Sequence, residues 1–168
     1  MPKKQSTYKN AWYVLALSRL MLGFIFLWAF LDKTFGLGFA TVADKAWIAG
    51  GSPTAGFLKG GVNADGPFVS FFNGLAGLAW VDWLFMLGLL GLGLALMLGI
   101  GLRIAAVAGT ILMIMMWLAL LPLENNPVVD DHLIYAVMLW VFALSRREMS
   151  LTNWWLSKKF VKKNQWLW

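Results

Sequence analysis

From Leu84 to Leu121 the chain runs 38 residues with a single charge, Arg103. As one helix this run would be about 57 Å long at the standard rise, close to twice the roughly 30 Å hydrocarbon core of a bilayer. It has to fold back on itself. Gly99-Ile100-Gly101-Leu102-Arg103 supplies two flexible residues and a cation for a tight turn, which predicts two membrane spans, about 84–102 and 104–121. A third apolar run, 11–31, is span one, and a fourth, about 128–144, ends before Ser145-Arg146-Arg147.

The rest of the composition agrees with a membrane chain. Of 168 residues, 60% are hydrophobic and 13% charged, and the mean hydropathy is +0.69. The expected fold is an all-α integral membrane protein, a four-transmembrane-helix bundle with a long outer loop of short helices and a C-terminal interfacial amphipathic helix. Residues 1–150 form the membrane domain and 151–168 a basic, aromatic tail. The run from Ala11 to Leu31 follows a basic start and resembles a signal segment, but it is too long and no small-x-small cleavage site follows, so it is read as a retained anchor.

Cations cluster where an even number of spans places both termini. Lys3, Lys4, Lys9, Arg103, Arg146 and Arg147, with the four lysines of the tail, fall on one side, against Lys33, Lys45 and Lys59 on the other. Seven of the eight acids, all but Glu148, lie opposite the basic side. The positive-inside rule then predicts cytoplasmic termini in a cell membrane of prokaryotic type. The net charge of +6 therefore marks a face that meets anionic lipid, not a nucleic-acid site. The tail, with Trp154, Trp155, Phe160, Trp166 and Trp168 among its lysines, is read as lying in the interface; docking onto a partner subunit is the competing reading.

Zero cysteines exclude a disulfide, a cysteine-held iron–sulfur cluster and covalently attached haem, and one histidine cannot ligate haem from both sides. Any redox cofactor must be borrowed or diffusible, and no metal site is predicted.

Small residues recur every fourth position at Gly91, Ala95 and Gly99, and again at Ala105 and Gly109. Such faces let membrane helices approach, so these two are expected to face each other. In the outer segment, Thr41 is placed to cap a helix over Val42 to Ala49, Ser52-Pro53 to start one ending at Gly60-Gly61, and Pro67 a third through Leu75. Trp47, Phe57, Trp80 and Trp83 make this an aromatic cover, which serves either as an interfacial anchor or as a lid over a lipophilic ligand.

Several segments taken in order resemble DoxX-type membrane proteins. They are "RLMLGFIFLWAFLDKTFGLGF" (Arg19 to Phe39), "AWIAGGSPTAGFL", "WVDWLFMLGLLGLGLALMLGIGLRIAAVAG" and "NNPVVDDHLIYA". The branch is the one related to the DoxD small subunit of thiosulfate:quinone oxidoreductase, and the resemblance spans roughly Ala11 to Leu144. It implies a four-helix membrane bundle, a membrane quinone as electron acceptor, thiosulfate as donor, and a DoxA-like partner on the outer side. A homo-oligomer and a place in another membrane complex as a non-catalytic subunit are the other partner readings.

The candidate site centres on Asp130, Asp131 and His132. Twelve residues from Leu133 to Leu144 make only about 18 Å of helix, so the fourth span is expected to start at Pro127 with Asn126 as N-cap, drawing all three to the hydrocarbon edge. Carboxylates there cap a helix; with a histidine they also relay protons, as quinone reduction requires. Both readings are open. Arg19 lies deep in span one, with snorkelling, Glu148, a lipid phosphate, a carbonyl or a quinone oxygen as its partner. Asp32 and Lys33 sit at the outer rim, either as a solvated ion pair or in contact with Asp131 or His132, and Trp47 or Trp80 would shape the site. With three cations against seven acids, the outer face does not draw in a dianion; only a local pocket at Lys33, Lys45 or Lys59 suits one.

Overall fold

The computed structural model describes residues 3–145 and 147–167, with side chains from Asn10 onward. Among these residues it is all helical, with no strand. The principal helices are α1 (Lys3–Phe35), α4 (Ala79–Leu98), α5 (Leu102–Leu120) and α6 (Asp131–Leu144); α2 (Ala55–Gly60) and α3 (Val69–Leu75) belong to the outer segment. The tail holds α7 (Thr152–Ser157) and α8 (Lys159–Lys163).

Among the described residues, three helices are long and apolar enough to cross a membrane: 26 residues of α1 from Asn10, the 20 of α4 and the 19 of α5. Helix α6 has 14 residues, about 21 Å, and falls short of a hydrocarbon core by itself. The fold-back comes where the glycines require it. Gly99 (φ 69°) and Gly101 (φ 59°) are both left-handed, and the amides of Gly99 and Ile100 bond to the Ala95 carbonyl at 2.8 and 3.1 Å, closing α4.

Helix α1 packs on α4, α4 on α5 and α5 on α6, and α1 also touches α6. Leu22 and Phe26, Met86, Leu92 and Leu96, Met113, and Leu139 and Phe142 meet in one core. The opposite faces stay apolar yet uncovered, as with Val14, Met21, Leu84, Ile111 and Val137, which suits lipid as the surrounding phase.

The close helix contact is not the expected one. Gly91 has open space around it, whereas a Cβ on Gly93 would lie 2.9 Å from Leu27 Cα, and one on Gly23 2.8 Å from Leu96 Cβ. The tight crossing is thus α1 on α4. Gly109 does serve packing, admitting Leu92 from α4 and Leu139 from α6.

Other boundaries also shift. Val42 to Ala49 forms two 3-10 turns, Ala43–Lys45 and Trp47–Ala49, instead of one helix, because the Gly51 amide bonds to the carbonyl of the extended, buried Ala46 and folds the segment back. Thr41 makes no cap there. The fourth apolar helix begins at Asp131, not near 127: Asn126 Oδ1 accepts from the amides of both Val128 and Val129 at 2.9 Å in a local turn, and Trp117 Nε1 donates to the Val128 carbonyl at 2.9 Å. The tail is not one amphipathic helix. It breaks at the extended Lys158, buries Val161 and Leu167, and is tied to the α4–α5 turn by Leu151 N donating to Leu98 O at 2.8 Å and Thr152 Oγ1 to Gly99 O at 2.5 Å.

Candidate functional site

Asp130 takes the N-cap position of α6. Its Oδ1 accepts from the Leu133 amide at 3.2 Å, and its Oδ2 lies 2.7 Å from His132 Nδ1. The Asp130 and His132 side chains are 15% and 14% exposed, while Asp131 is 66% exposed, with a carboxylate oxygen 3.5 Å from the same ring nitrogen. Two carboxylates therefore flank Nδ1. When Nδ1 carries the proton and donates it to Asp130, Nε2 is left as the free base of the ring. Oxygen and nitrogen atoms of all three residues also lie within 4.8 Å of one another, close enough to share a cation.

The remaining predicted residues make no hydrogen bond or ion pair with this cluster among the described residues. Asp32 is buried and its carboxylate accepts the amides of Phe39 (3.2 Å) and Ala40 (2.9 Å), shaping the chain as it leaves α1. Among the described residues, no hydrogen bond or ion pair joins Asp32 or Lys33 to Asp130, Asp131 or His132. Trp47 is half-buried against the main core, edge-on to Trp83 at 4.6 Å, and Trp80 is exposed on the first turn of α4. Trp47 thus adds to the packing of the core, and Trp80 faces outward.

Arg19 lies at the opposite end of the bundle. It is 3% exposed, so snorkelling is not its solution. The guanidinium donates to the carbonyl oxygens of Leu96, Glu148 (3.2 Å) and Met149 (2.8 Å), joining α1 to the end of α4 and to the chain after α6. It is the backbone of Glu148, not its carboxylate, that takes part. A Cβ at Gly99 would lie 3.0 Å from Arg19 Nη1 and 2.3 Å from Ser150 Cβ, so this glycine is needed for space as well as for its φ.

Sequence reasoning counted Asp82 only as an outer acid. In the structure it is 6% exposed, and one carboxylate oxygen accepts from Ser52 Oγ (2.9 Å), Thr54 N (3.1 Å) and Thr54 Oγ1 (2.6 Å). An acid in the first turn of an otherwise apolar helix was the available signal. Nearby, Lys45 and Lys59 share an open cleft of about 580 Å³ with Asp44 and a set of glycines; Lys33 is not part of it.

No buried side-chain nitrogen or oxygen among the described residues lacks a partner. Three membrane-length apolar helices with uncovered apolar faces define the class, a multi-pass helical membrane protein. Comparison of the chain with protein-family models, with curated proteins and with solved structures finds no match.

Proposed function

We propose that this chain is a membrane subunit serving a quinone-linked oxidoreductase, its chemistry confined to the Asp130–His132 pair. The observation that carries the reading is the 2.7 Å contact between Asp130 Oδ2 and His132 Nδ1 in a pair about 15% exposed. A carboxylate that fixes the imidazole tautomer at a membrane edge suits proton delivery to a reduced quinone bound beside it. The DoxX-type resemblance supplies the quinone, a donor such as thiosulfate, and a DoxA-like partner on the outer side. In this reading α6, extended by the residues before it, completes a fourth crossing, and both termini are cytoplasmic, as the lysine and arginine distribution favours.

A second reading, a non-catalytic subunit of a larger membrane complex, is favoured by the structural occupation of Arg19, Asp32 and Asp82. Quinone reduction by the complex isolated in mild detergent separates the two. With His132→Ala, the first reading expects turnover to fall about 100-fold or more with the complex intact. Full turnover in that variant leaves the accessory role.

A further inference from the structure

At the basic end, an open cleft of about 530 Å³ lies between the start of α5 and the chain after α6. Arg103, Leu144, Arg147, Glu148, Asn153 and Leu156 contribute to its lining. Among the described residues, each arginine has one hydrogen bond, Arg103 Nη1 to Gln165 O at 3.5 Å and Arg147 Nη2 to Ala143 O at 3.3 Å. A guanidinium has five N–H donors, so most of them have no partner among the described residues. Among the described residues, no ion pair joins Glu148 or any other acid to either arginine. Burial, and then the charge of Arg103, lowers the Arg147 pKa below its ordinary value, so the two cations stand close enough to repel each other across the cleft.

Two forked donors facing one gap match the oxygens of a phosphate group. Apolar surface adjoins the gap on the side of the spans. Leu144 is 74% exposed on the lining itself, and Ile104 and Val107 carry the outward face of α5 away from Arg103 along the bundle. A free anion has no use for that surface, whereas acyl chains do.

We propose that Arg103 and Arg147 bind the phosphate of an anionic phospholipid, whose chains run along the outer faces of α5 and α6. The site is independent of the quinone reading and requires only that the protein reside in a membrane.

The test is native mass spectrometry of the full chain in neutral detergent, titrated separately with phosphatidylglycerol, phosphatidylcholine and inorganic phosphate. Wild type is expected to retain phosphatidylglycerol selectively. Arg103→Gln and Arg147→Gln should each weaken retention about fivefold, and the double variant about 30-fold. The exposed-lysine variant Lys162→Gln/Lys163→Gln should bind as wild type does. Arg103 is exposed, so Arg103→Gln keeps the test decisive if Arg147→Gln does not fold. Wild-type retention in the double variant overturns the proposal. So does an equal loss in the lysine variant, which would mean diffuse attraction, or displacement of the lipid by inorganic phosphate at matched concentration.

Discussion

Arg19 Nη2 donates to the carbonyl of Met149 at 2.8 Å, tying the first membrane helix to a segment 130 residues further along the chain. The same guanidinium reaches Leu96 O and Glu148 O, so one side chain joins α1 to the end of α4 and to the chain after α6. Met149 itself adopts φ 51°, in the left-handed region that favours glycine. Arg19 is thus a joint of the fold at the basic end.

Replacing Arg19 by alanine removes the donors to three carbonyls and should lower stability by about 3 kcal/mol. Reversible unfolding in mixed micelles measures this. Activity per folded molecule should stay near wild type, and a selective rise in quinone KM with unchanged stability would instead place Arg19 at a ligand.

Asp130→Ala removes the cap of α6 and the partner of His132 together. A loss of about 1 kcal/mol is expected from the cap alone. Hydrogen exchange should quicken first at the Leu133 amide, which Asp130 accepts at 3.2 Å. Asp130→Asn retains an acceptor for that amide and should largely restore protection. It removes the carboxylate charge beside His132, so turnover should remain low if proton transfer is its task.

Asp82→Ala leaves Ser52 and Thr54 without their shared acceptor, a cost of about 2–3 kcal/mol. Limited proteolysis between Asp44 and Lys59 should accelerate while α4 and α5 stay protected. An unchanged cleavage pattern would show that the outer segment is held by other means.

The glycines of α4 should respond with opposite signs. Gly93→Ala drives a methyl against the backbone of Leu27 and should cost about 1–3 kcal/mol. Gly91→Ala meets open space within the same helix and should gain about 0.5–1 kcal/mol from helix propensity. Thermal midpoints of the two variants in one detergent provide the comparison.

By itself the sequence determined the class of protein and its main reversal. Apolar runs of membrane length are read residue by residue, and a turn flanked by Gly99 and Gly101 follows from the backbone freedom of glycine alone. The grouping of Asp130, Asp131 and His132 at one helix start was also legible, but not which carboxylate meets the ring: positions two apart within a helix point to different faces, and Asp130 reaches His132 because it stands at the extended N-cap. What packs against what was decided by tertiary structure. Gly91 and Gly93 offer the same missing side chain, and only the placement of α1 makes Gly93 the contact. Asn126 and Asp130 are both good helix caps, and the local turn at Asn126, with Trp117 bonded to the Val128 carbonyl, left the start to Asp130. For Arg19 a carbonyl was one of several readable partners, but which carbonyls was not, because every residue carries one and no sequence pattern marks it; Asp82 meets Ser52 and Thr54 from some 30 positions away, a meeting that only the folded outer segment makes.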